Sequence, residues 1–141
     1  MRAEERFEII PHPSDTGIIA YGGDLKELFQ NAAYGMFSLM ADIENVSPRV
    51  EFKVGAKGED KESLLVNFLN ELIFIEDSKK VLLKDFKIQA LSDTMLTMVA
   101  RGERIDLKRH TVLRSLKAAT YNQLEIKQEG ARWSAKVVFD V

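Results

Sequence analysis

The 141-residue chain contains no cysteine, so disulfide frameworks, cysteine-ligated zinc and thiol catalysis are excluded. It has only two histidines, His12 and His110, so a metal site built on two imidazoles would need both. Three prolines and eight glycines are too few for a collagen-like or low-complexity chain. Neither sign of charge dominates, because 20 Lys and Arg stand against 22 Asp and Glu. The total therefore gives no case for wholesale binding to nucleic-acid backbones or anionic membranes. No long hydrophobic run is present either. The most apolar stretch, LLVNFLNELIFI, is too short to span a bilayer and carries Asn67, Asn70 and Glu71. MRAEERFEII has neither a long apolar core nor a small-residue cleavage site, so a cytoplasmic protein without a secretory signal is expected.

What is present suits an ordered chain. Apolar residues make up 45% and charged residues 30%, which excludes disorder by composition. A chain of this mass buries roughly two-thirds of its unfolded surface, enough for one core without staples. A single domain over residues 1–141 is expected, with no internal repeat.

Two segments carry a helical period. Leu25, Leu28, Phe29, Ala32, Ala33, Met36, Phe37 and Met40 form one stripe. Asp24 is placed to cap this helix, with Glu27 in the reciprocal position of a capping box. Gly22-Gly23 reads as the turn before that cap, since no third glycine completes a phosphate loop. Leu64, Leu65, Phe68, Leu69, Leu72 and Ile73 form the second stripe, capped by Asp60. Gly55 to Asp60 reads as a turn.

The remainder alternates. Phe86, Ile88 and Ala90 share one face; so do Leu96, Met98 and Ala100, and Trp133, Ala135, Val137 and Phe139. Residues 7–11, 16–21, 50–54, 111–118 and 124–126 read as further strands. Half-polar strands suit antiparallel pairing with one dry face. The expected fold is α+β, with two helices packed on a mostly antiparallel sheet of roughly seven strands.

Catalytic signatures are scarce. No nucleophile elbow occurs. His110, beside a basic stretch and before a strand candidate, reads as a surface or strand-edge residue rather than a general base. The basic stretches DLKRH and VLRSLK read as solvated faces. Two other features carry more information. The given sequence closes on Asp140-Val141 directly after an apolar strand, which sets a side-chain carboxylate beside a terminal one. Two such anions repel, and a hard cation relieves them; a frayed, solvated end is the simpler alternative. HPSD, His12 to Asp15, lies where the chain must turn between two strand candidates, and Pro-Ser-Asp is common turn chemistry.

Taken in order, the pieces resemble the archease family over nearly the whole chain. HPSDTGIIAYG is similar to the family's HTADIGI-x-A-x-G opening. DLKELFQNAAYGMFSLMAD and SLLVNFLNELIFIED resemble its two helices. The ARGERID stretch, LKAATYNQLEI and the closing WSAKVVFDV follow in register.

That resemblance implies two helices against a mostly antiparallel sheet. It also implies an accessory protein, not an enzyme, that serves the RtcB-type RNA ligase of tRNA splicing. Such a ligase joins a 2′,3′-cyclic phosphate or 3′-phosphate to a 5′-hydroxyl, and the family promotes loading of GMP from GTP onto its active-site histidine. The expected partner is that ligase, with tRNA associated indirectly. A divalent cation is implied, Ca²⁺ first and Mg²⁺ or Mn²⁺ as alternatives, with Asp15, Asp140 and Val141 as ligands. All three offer hard oxygen donors, which suit those ions.

The departures are specific. HTAD has become HPSD, so Pro13 and Ser14 replace Thr and Ala while Asp15 stays. Asn122 stands where the family's TYH motif has its histidine. His12 either orients Asp15 or merely finishes a turn. Lys117 and Thr120 match VKA-x-T, as partner contacts or as paired strand residues. Two other readings compete with the ligase activator. One is a chaperone-like partner of tRNA-processing or tRNA-modifying enzymes. The other is a metal-dependent hydrolase, which would need a general base that only His12 could supply.

Overall fold

The computed structural model describes residues 5–10 and 16–141. Among the described residues two α-helices and eight strands follow one another as β1 (Phe7–Ile9), β2 (Thr16–Gly22), α1 (Leu25–Met40), β3 (Val50–Lys57), α2 (Lys61–Lys79), β4 (Val81–Leu91), β5 (Met95–Arg104), β6 (Ala118–Ala119), β7 (Glu125–Glu129) and β8 (Arg132–Asp140). The strands form two sheets rather than one. Five strands run in the order β1-β2-β8-β6 with β7 also paired to β8, and three run β3-β5-β4. Every ladder is antiparallel.

Both helices start as their caps dictate. The Asp24 carboxylate accepts from the Glu27 N–H at 2.8 Å, and Glu27 reaches back to the N–H of Gly23, one residue earlier than a standard capping box. The α2 box is complete. Asp60 accepts from Ser63 N–H at 2.8 Å, and Ser63 Oγ accepts from Asp60 N–H at 3.1 Å. Both stripes are buried except for Leu25, which is half-buried, and Phe29 stacks on Phe68 where the helices meet. They join Ile18, Ala100, Val137 and Phe139 in one hydrophobic cluster.

Two β-bulges set the side-chain phase of β4. Its register on β5 skips Lys84 and again Gln89. Each skip adds one residue, so Leu83, Phe86, Ile88 and Leu91 all turn toward the core. Ala90, expected on the same face as Ile88, lies outside, because the bulge at Gln89 reverses the alternation. β5 presses close to β4 at Gly102, where a Cβ would sit 1.9 Å from the Leu82 carbonyl oxygen. Gly130, at φ +63°, allows the tight β7–β8 turn.

Two expected boundaries change. β3 runs on through Gly55 to Lys57, paired with Thr97 to Met95, so the turn begins only at Gly58. Of residues 111–118, expected as one strand, only Ala118 lies in a strand, at the start of β6. Val112 makes one bridge to Ala41, and the N–H groups of Leu113 and Arg114 go to the Met40 carbonyl. The segment satisfies carbonyls left without partners at the end of α1, and that use takes precedence over its alternation. The guanidinium of Arg114 adds a bond to the Leu39 carbonyl at 2.5 Å.

Candidate functional site

The C-terminal end of β8 is held from two sides. On one side β2 pairs with it along its length, and Thr16 stands opposite Phe139. On the other, Ala118 pairs with Asp140, and Lys117 donates its N–H to the Asp140 carbonyl at 2.8 Å. Thr120 donates both its N–H (3.0 Å) and its hydroxyl (2.8 Å) to the Val138 carbonyl. Its hydroxyl is therefore spent inside the fold, and it also accepts from Asn122 N–H at 3.3 Å.

Helix α2 supports this end through Asn70. Its Oδ1 accepts from the N–H of Ala119 at 2.7 Å, while its NH₂ donates to the Ala119 carbonyl at 3.4 Å. Ala119 is buried, so a lost partner there would leave an unpaired amide. The sequence shows Asn70 only as a polar break in an apolar run. Its role as a backbone clamp needs a contact across 49 positions.

Upon this frame Asp140 and Val141 are exposed. Among the described residues no ion pair engages the Asp140 carboxylate. A fixed backbone carrying a solvent-facing carboxylate fits a hard cation, whose ligands are oxygens. Among the described residues no group of three acidic or imidazole side chains is assembled. Asp15 and the whole HPSD turn, with His12, lie outside the described residues. Lys117 is exposed and precedes β6 instead of lying within it, and only its backbone N–H is engaged in the frame.

His110 differs from expectation: it is buried, not on the surface. Its Nδ1 accepts from the Asp106 N–H at 2.9 Å, which fixes the proton on Nε2, and Nε2 lies 3.1 Å from Glu103. Glu103 is the hub of this cluster. It accepts from Ser47 N–H at 3.0 Å and from the Arg109 guanidinium at 2.5 and 3.2 Å, and pairs with Arg49 at 3.1 Å. The hydrogen bond from Arg109, followed by those from Ser47 and His110, holds its carboxyl down from 4.5 to about 2. Both oxygens of Glu103 and both ring nitrogens of His110 are matched to neighbours, as in a structural clamp. It ties the segment after β5 to the loop before β3. Sequence spacing showed Glu103 only as part of ARGERID, because its donors come from residues 47, 49, 109 and 110.

The fold and this site define a protein of two helices and two antiparallel sheets, with an acidic tip on the strand where the sequence closes. The model of the Archease protein family matches residues 7–141. The chain is 38% identical over 138 residues to a protein archease of Methanothermobacter thermautotrophicus, covering 96% of this chain and 98% of the relative. It is 34% identical to that of Pyrococcus furiosus, with both chains fully covered, and 33% identical to that of Methanosarcina mazei, with 97% of each covered. The solution structure of Methanobacterium thermoautotrophicum protein 1598 superposes with a TM-score of 0.81 at 38% identity, covering 96% of this chain and 98% of that one. A Thermotoga maritima crystal structure described as an archease and possible chaperone shares the fold, with a TM-score of 0.67 at 22% identity over 100% and 98% of the two chains. The chain belongs to the archease family. Among its described residues no helix is long and apolar enough to cross a membrane.

Proposed function

We propose that this archease promotes GMP loading and multiple turnover of an RtcB-type RNA ligase in tRNA splicing and RNA repair. In this reading it acts on the ligase and not on the RNA. The working end is the tip of β8, where Asp15, Asp140 and Val141 hold a divalent cation, Ca²⁺ first among the candidates. Membership of the family over residues 7–141 is the observation that carries the reading.

The β2–β8 register supports the ligand set. Thr16, which follows Asp15 in the chain, stands opposite Phe139, which precedes Asp140. The exposed carboxylate on a pinned strand end supports it further. A bound cation would supply concentrated positive charge there. This chain's own residues have the task of fixing the Asp140 backbone and leaving its side chain open to a partner. Asp140→Ala should fold normally, since the side chain is exposed, and should lose stimulation of the ligase. Full stimulation by a folded Asp140→Ala variant would sink the assignment of this end.

A second reading is a chaperone-like partner of tRNA-processing enzymes. It rests on the description of the Thermotoga maritima archease structure as a possible chaperone. Protection of an aggregating non-ligase client would support it. The activator reading predicts no such protection.

A further inference from the structure

A cleft of about 300 Å³ lies on a different part of the molecule, between α1 and the β4 edge of the three-stranded sheet. Its charge contrasts with that of the whole chain, in which acids outnumber bases. Arg6, Lys84, Lys87 and Arg101 line it, against Asp85 alone. Arg101 is paired with Glu51 at 2.9 Å, and even so the cleft keeps a positive excess.

The remaining cations are not neutralised by described acids. Lys84 donates to the Glu44 carbonyl at 3.1 Å, a neutral acceptor. Among the described residues no ion pair engages Lys87. Arg6 lies over the ring of Tyr34, its guanidinium carbon 4.5 Å from the centroid.

The backbone is specialised at the same place. The two bulges of β4, at Lys84 and Gln89, bracket this stretch, and bulges re-aim side chains beside sites. The first makes Lys84 an extra residue outside the ladder, so that Lys84 and Asp85 both stand between the core-facing Leu83 and Phe86. Gln30 of α1 accepts from the Ile88 N–H at 2.9 Å through its Oε1. That bond covers the strand edge and leaves the Gln30 NH₂ as a neutral donor on the cleft wall. Ammonium groups, a guanidinium and an amide NH₂ around a small cleft match an acceptor-rich anion of charge about two. The volume falls at the lower end of small-molecule sites.

We infer that this cleft binds a phosphate monoester, carried either by a small molecule such as a mononucleotide or by the end of an RNA strand. The inference does not depend on the ligase reading.

The test is a titration of the full chain, followed by ¹⁵N–¹H correlation spectra and calorimetry, at low and at physiological salt. The probes are inorganic phosphate, AMP, a ten-nucleotide RNA with a 5′-phosphate, and the same RNA with a 5′-hydroxyl. Saturable binding of a phosphate monoester is expected, with the amide signals of Lys87 and Ile88 moving and affinity falling as salt rises. Lys87→Gln should weaken binding about tenfold, the scale of one charge-assisted hydrogen bond. Lys87→Arg should keep it, and Asp85→Asn should tighten it. AMP binding as well as the phosphorylated RNA assigns the small-molecule source; preference for the phosphorylated RNA over both AMP and its hydroxyl twin assigns the strand end. No saturation by any monoester at millimolar concentration, or binding indifferent to Lys87→Gln and Asp85→Asn, overturns the inference.

Discussion

Replacing Asn70 by leucine tests whether α2 clamps the end of β8. The side chains are similar in size, so the change removes polarity more than volume. It strips the acceptor from the Ala119 N–H, which in the wild type donates a 2.7 Å bond to Asn70 Oδ1 in a buried position. An unsatisfied buried donor costs about 1–3 kcal/mol. Unfolding entropy near 2.1 cal/mol/K per residue gives about 0.3 kcal/mol/K for a chain of this length. Tm should therefore fall by about 3–10 °C in calorimetry. Amide exchange at Ala119 should accelerate more than in the core of β5. Asn70→Asp, which keeps an acceptor oxygen, should recover much of the loss. A Tm within about 1 °C of wild type, with Ala119 exchange unchanged, would refute the clamp.

Other predictions concern the remaining frame. Glu103 has its carboxyl lowered from 4.5 to about 2, so its contribution to stability is complete above the unfolded value and lost as pH falls toward 2. Denaturant titrations should show wild type more stable than Glu103→Gln near pH 6, with the gap closing between about pH 4.5 and pH 2; a gap constant across that window would contradict the assignment. Gly102→Ala puts a Cβ 1.9 Å from a backbone oxygen that cannot move without breaking β4. It should cost about 3 kcal/mol or prevent folding, measured by urea unfolding. Phe68→Ala, emptying a fully buried site against Phe29, should cost about 3–5 kcal/mol by the same assay.

Much of this fold was legible because local rules agree with the tertiary result. Both helices fall where their apolar stripes and acidic caps indicate, and β5 and β8 alternate as read. The misreadings arise where a residue's partner is distant. Ala90 lies outside because a bulge at Gln89, a property of the β4–β5 pair, reverses the phase. Residues 111–118 alternate like a strand, but 111–114 are spent on the open end of α1, and Lys117 and Ala118 pair with Asp140. One sheet was expected and two are found, since alternation shows that strands pair without showing how they group. His110 read as exposed from its basic neighbours, yet Glu103 and the Asp106 N–H bury it. At the candidate site, Asp140 was visible as an acid after an apolar strand. Asn70 and Thr120, which fix that strand end, were hidden because their bonds go to backbone atoms 49 and 18 positions away.

The central claim is activation of a partner ligase, and it is tested most directly by the rate of covalent GMP loading. The RtcB-type ligase from the same source would be supplied with GTP and Mn²⁺, with and without this chain, and the ligase–GMP adduct followed through repeated turnovers. The account predicts faster loading and sustained turnover with the wild-type chain. An unchanged loading rate, with the chain folded and the ligase competent for one round, would contradict it.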